Sequence, residues 1–119
     1  MHSDSGFIFG GYSKIGFQTV QDKSSIEYKI DNNSFLFSVN LKKIYPVIKD
    51  KEVICHISDR FGLCFSASLA FYDNFMNNSE GTIFGNDSME IFSKPPNKYE
   101  MNGGNRYYKC SELEVFQLV

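Results

Sequence analysis

Residue composition and spacing are those of a mainly-β fold, an antiparallel sandwich of two sheets with few short helices, on three grounds. Aromatic residues are abundant, with twelve Phe, seven Tyr and no Trp among 119 residues. These side chains favour pleated, half-buried surfaces and bring large areas to a core. Apolar residues recur with period two in several short runs, the spacing of strands buried on one face. Clusters of Asn, Asp, Gly and Pro separate those runs, as turns between short strands do. Strand–helix alternation is missing from the pattern, which disfavours a parallel doubly wound sheet.

The elements follow in order. Phe7-Ile8-Phe9 followed by Gly10-Gly11 predicts a strand that ends in a sharp bend, since paired glycines permit backbone angles closed to other residues. Residues 13–29 read as a long surface loop, with one short strand near Ile26–Ile30. Asp31-Asn32-Asn33 is a turn signal, and Ser34–Asn40 then alternates. Phe35, Phe37 and Val39 fall on one side and Leu36 and Ser38 on the other; apolar bulk on both sides predicts a central strand. Tyr45-Pro46-Val47-Ile48, broken by proline, reads as an edge strand or connector.

Val53–Ser58 is a further strand, and Asp59-Arg60-Phe61-Gly62 a turn. Leu63–Tyr72 alternates Leu63, Phe65, Ala67, Leu69 and Phe71 against smaller residues, which predicts one strand; a helix over 66–75 is the rival reading. Residues 74–81 form a polar loop, and Thr82–Gly85 and Met89–Phe92 are short strands. Pro95-Pro96 and Gly103-Gly104 mark 93–104 as a loop. Arg106–Leu118 closes the chain with β-rich sequence, Glu112 and Glu114 alternating with Leu113 and Val115. The total of about seven or eight short strands is that of a sandwich.

The totals bound the function. The length fits one domain, residues 1–119. A net charge of −2 offers no basic excess for phosphates, so duplex nucleic acid is not expected as a partner. The chain lacks an apolar run of the ~20 residues that cross a bilayer. The polar start, Met1 to Gly6, does not resemble a signal peptide, so the expected location is cytoplasmic. Three cysteines, Cys55, Cys64 and Cys110, are an odd number without a Cys-x-x-Cys pair, the pattern of reduced thiols rather than a disulfide framework.

Candidate sites are few. Cys55, His56, Cys64 and Cys110 have the right chemistry for zinc, but no paired knuckle spacing; Cys55 and His56, as neighbours on a strand, would point to opposite faces. Cys64 with His56 and Asp59 could be drawn as nucleophile, base and orienter, without any spacing that brings them together. Of the three thiols, Cys64 follows a turn signal and is expected to be the most reachable, making it the candidate redox thiol. Glu112 and Glu114 leave one face of a strand and read as a solvated face before a carboxylate pair. Gly10-Gly11 lacks the spacing of a phosphate-binding loop, so neither cofactor nor metal is expected.

Four of these segments, in order, resemble the TLDc domain of the oxidation-resistance family. Phe7-Ile8-Phe9-Gly10-Gly11-Tyr12 is similar to its "FGGY/F" strand, and Ser34-Phe35-Leu36-Phe37-Ser38 to its "AFLFSL" strand. Phe61-Gly62-Leu63-Cys64-Phe65, leading to Leu69-Ala70-Phe71-Tyr72, is similar to "YGPTFGGG-DLYI", and Ser111 to Phe116 to "SEIEVF". Tyr99-Glu100 also sits where the family often has such a pair. The chain departs from the pattern at Ser66-Ala67-Ser68, where the family runs glycines, and at Ala70, where it has Asp. The resemblance covers nearly all of this chain and the C-terminal portion of the family domain, which begins some tens of residues earlier.

The resemblance implies a non-catalytic domain that binds protein, is linked to oxidative-stress resistance, and docks on subunits of the vacuolar proton-pumping ATPase. It implies structural roles for Gly10, Gly11, Phe61, Gly62, Phe65, Glu112, Glu114 and Phe116. The expected contact elements are the Phe7–Tyr12 turn, the Phe61–Phe65 turn and the Glu112/Glu114 pair. A small thiol-based antioxidant or stress enzyme using a cysteine is the alternative.

Overall fold

A computed structural model describes residues 1–17, 28–55, 61–66, 68–72, 81–83, 91–93 and 97–117. Among them the chain forms eleven strands: β1 His2–Ser3, β2 Phe9–Tyr12, β3 Tyr28–Ile30, β4 Phe35–Ser38, β5 Lys43–Pro46, β6 Glu52–Cys55, β7 Phe61–Phe65, β8 Leu69–Tyr72, β9 Gly81–Ile83, β10 Tyr107–Tyr108 and β11 Cys110–Glu112. One 3₁₀ turn spans Glu100–Asn102. The mainly-β class read from the sequence holds, and every described strand pair is antiparallel.

The strands build a six-stranded sheet ordered β10-β9-β8-β7-β6-β3, a three-stranded sheet ordered β2-β4-β5, and a ribbon of β1 with β11. Phe9 of β2 meets Tyr108 of β10 edge to face, ring centres 5.1 Å apart. Gly11 of β2 lies against the ring of Phe65 in β7. These contacts stack the inner face of the smaller sheet on the larger one. Phe9, Leu36, Tyr45, Phe65, Leu69, Phe92, Met101 and Tyr108 share the buried core.

Gly10 and Gly11 form no bend. Both lie inside β2, paired with Phe37 and Leu36, and neither has a positive φ. Their lack of a side chain makes room for aromatic rings: a Cβ on Gly11 would stand 2.5 Å from Phe65, and one on Gly10 2.9 Å from Phe37. Gly81 does the same beneath the Tyr108 ring, opposite it across β9 and β10.

Leu63–Tyr72 is not one strand but two. The chain reverses at Ser66, whose φ is +53°, with Ser68 N–H donating to Phe65 C=O at 3.1 Å. Phe65 pairs with Leu69 across the hairpin, so both keep to the core side. A short reversal preserves odd–even parity, which is why the alternation looked uninterrupted. Phe61 and Gly62, expected in a turn, belong to β7.

Elsewhere expectation and structure agree more closely. β4 is central, β5 is an edge strand containing Pro46, and Val47 adds a bridge to Phe92. The expected loop of 93–104 includes the 3₁₀ turn, closed by Gly103 at φ +64°. The C-terminal alternation ends as a strand at Glu112. The polar N-terminus supplies β1 as its partner, with Asp4 N–H donating to Lys109 C=O at 2.8 Å.

Candidate functional site

The site is the outer face of the three-stranded sheet. Register sets its membership: Tyr12 is opposite Phe35, and Phe37 lies between Gly10 and Ile44. In a pleated sheet opposite residues share a face, so Tyr12, Phe35, Phe37 and Ile44 stand together. Leu36, Ser38 and Tyr45 go inward and are buried.

The rings are ordered. Tyr12 and Phe35 stack with centres 5.0 Å apart and planes 25° from parallel, and Phe37 follows 6.4 Å from Phe35. Such contacts contribute about 0.5–1.5 kcal/mol beyond the area they bury. All three rings are half-buried, whereas Ile44 is 64% exposed. In the β4–β5 turn Val39 and Leu41 are exposed apolar residues, with exposed Lys42 between Leu41 and β5. Ser38 Oγ accepts from Leu41 N–H at 3.2 Å and braces this turn.

Two polar clamps hold the sheet at its margins. The buried Asp31 carboxylate accepts from Ser13 Oγ at 3.0 Å and Lys14 N–H at 2.8 Å through Oδ2, and from Asn33 N–H at 3.1 Å through Oδ1. It thereby fixes the segment after β2 to the turn before β4. At the other margin, Glu100 Oε1 accepts from Tyr45 Oη at 2.7 Å and Lys43 Nζ at 3.0 Å. The Tyr45 hydrogen bond, aided by Lys43 and opposed by partial burial, holds the Glu100 carboxyl below the usual glutamate range. Burial, then the hydrogen bond and charge of Glu100, pushes the Tyr45 phenol well above its ordinary value.

The residues singled out from sequence are scattered. Phe65 is core, and Gly10 and Gly11 pack beneath rings on opposite faces of β2. Phe61 and Gly62 are placed by backbone in β7. Glu112 ends β11, while Glu114 lies beyond it; both are exposed, and nothing gathers them into a carboxylate pair. Phe116 is 76% exposed rather than packed as a closing strand would pack it. Cys64, expected to be the most reachable thiol, is 4% exposed. Burial pushes the Cys110 thiol up, away from a reactive thiolate.

His56 and Asp59 lie outside the described residues. Among the described residues, no group of three His, Cys, Asp or Glu side chains could hold a metal ion. No helix of the described residues is long and apolar enough to cross a membrane.

Sequence reasoning identified the β4 strand but not its outward side. The heavier set, Phe35 and Phe37, faces out, while Leu36 and Ser38 face in. The available signal was Gly10-Gly11, whose two faces each receive one ring. Ile44 carried no signal of its own. No family model, curated protein or solved structure matches the chain.

Proposed function

We propose that this chain is a non-catalytic protein-interaction domain that docks through the outer face of β2-β4-β5. The supporting observation is the Tyr12–Phe35 stack continued by Phe37 and by Ile44, an ordered apolar surface on the solvent side of a sheet. Contiguous exposed apolar area of this kind marks protein contacts. Aromatic anchors ringed by polar residues dominate the energetics of such contacts. Lys42 beside the patch favours a partner with an acidic rim around an apolar centre.

The resemblance to the TLDc domain supplies the candidate partner, subunits of the vacuolar proton-pumping ATPase, and a role in oxidative-stress resistance. The test is capture of those subunits from lysate at low and moderate salt by the wild-type chain and by Ile44→Lys. The expected result is capture by wild type and its loss in the variant, with an unchanged melting temperature. Capture by neither chain, or equally by both, overturns the reading.

A further inference from the structure

The register of the six-stranded sheet places two of the three cysteines opposite each other: Cys55 of β6 and Cys64 of β7 are Cα partners in an antiparallel pair. Opposite Cα atoms in any such ladder are about 4.5 or 5.5 Å apart, depending on whether the pair is hydrogen-bonded. Both separations fall within the about 4.4–6.8 Å that a disulfide spans. Opposite positions also share one face of a sheet. Eight residues of chain lie between the two in sequence, so neither proximity nor spacing marks them as partners before the strands pair. Cys110 belongs to β11, in a different sheet.

From this juxtaposition we infer that Cys55 and Cys64 form a cross-strand thiol pair that a small hydroperoxide oxidises to an intrachain disulfide. The chemistry balances in two steps. One thiolate attacks the peroxide; an S–O bond forms, the O–O bond breaks, and the departing oxygen takes a proton and leaves as water. The other thiolate then attacks the resulting sulfenic sulfur; the S–S bond forms, the S–O bond breaks, and a second water leaves. Two thiols are oxidised and one hydrogen peroxide is reduced. Burial of Cys64 shields it from bulky disulfide reagents, so the oxidant must be small or must act during local opening of the strand pair. Once one sulfur is oxidised, the cysteine paired with it in the backbone register resolves it.

The sequence provides a clean readout. Arg60 lies between the two cysteines, and Lys109 precedes Cys110 directly. Trypsin therefore puts all three cysteines on separate peptides when they are reduced. The full chain at low concentration is treated with hydrogen peroxide, alkylated under denaturing conditions, digested and mapped by mass spectrometry. The expected products are a monomer two hydrogens lighter, joined Cys55 and Cys64 peptides, and an alkylated Cys110. Cys110→Ser should leave the cross-link intact, and Cys64→Ser should abolish it. A Cys110-containing disulfide as the main product overturns the inference, as does overoxidation of Cys64 without a link to Cys55. The wild-type map decides the matter even if Cys64→Ser fails to fold.

Discussion

The Tyr45 hydroxyl donates to the Glu100 carboxylate at 2.7 Å, joining the edge strand of the three-stranded sheet to the 3₁₀ turn 55 residues later. The two groups titrate in opposite directions. The depressed Glu100 carboxyl stabilises the fold above the ordinary glutamate range, and that contribution is lost as pH falls through its folded value. The raised Tyr45 phenol stabilises the fold below the ordinary tyrosine range, and that contribution is lost as pH rises towards its folded value. Tyr45→Phe should cost about 1–2 kcal/mol at neutral pH, because it leaves a buried-edge acceptor without its main donor. Denaturant midpoints measured across pH should show a flatter alkaline limb in Tyr45→Phe and a flatter acid limb in Glu100→Gln. Limbs parallel to wild type in both variants would refute the assignment.

Gly11 and Gly10 should respond differently to the same substitution. A Cβ at Gly11 meets Phe65, a core ring hemmed in by Phe17 and Phe92, and Gly11→Ala should destabilise by about 1–3 kcal/mol. At Gly10 the Cβ meets the far end of the half-buried Phe37 ring, which can swing outward, and Gly10→Ala should cost under about 1 kcal/mol. Chemical denaturation of the two variants ranks them, and a reversed order would show that the sheet faces are wrongly assigned.

Ser66 should be improved by glycine. It holds a left-handed φ of +53°, and its buried Oγ has no hydrogen-bond partner among the described residues. Ser66→Gly relieves both penalties, at the cost of a more flexible unfolded chain. The net gain should be about 1 kcal/mol, seen as a rise of about 4 °C in melting temperature. A fall in melting temperature would mean that the hydroxyl contributes more than the backbone loses.

Asn102 is a buried junction whose side chain is fully engaged. Its Oδ1 accepts from Ser3 Oγ at 2.8 Å and Ser5 Oγ at 2.5 Å, while Nδ2 donates to the carbonyls of Asn105 at 3.2 Å and Tyr107 at 3.0 Å. Asn102→Asp keeps the acceptor but sets a carboxylate oxygen against two carbonyls, and should cost about 2–4 kcal/mol. The cost should shrink as pH falls and the new carboxyl protonates. A pH-independent effect would contradict the hydrogen-bond assignment.

The pattern of residues fixed the class of structure and several strands, because period-two spacing and turn chemistry act locally. β4, the edge position of β5 with its Pro46, and the turn at Asp31-Asn32-Asn33 were all legible for that reason. Strand ends were less so: the hairpin at Ser66 hid inside an alternation that a short reversal leaves in phase.

Which side of each strand meets the core was settled by long-range packing. Phe35 and Phe37 out, with Leu36 and Ser38 in, contradicts ranking faces by apolar bulk. The inner face had to fit around Phe65, whose ring occupies the space that Gly11 leaves, and this left the heavier side to solvent. Long-range register likewise brought Glu100 to Tyr45 and Cys64 opposite Cys55. Local spacing encodes how a strand alternates; the partner across the sheet is chosen by packing of the whole chain, where one ring fills one gap.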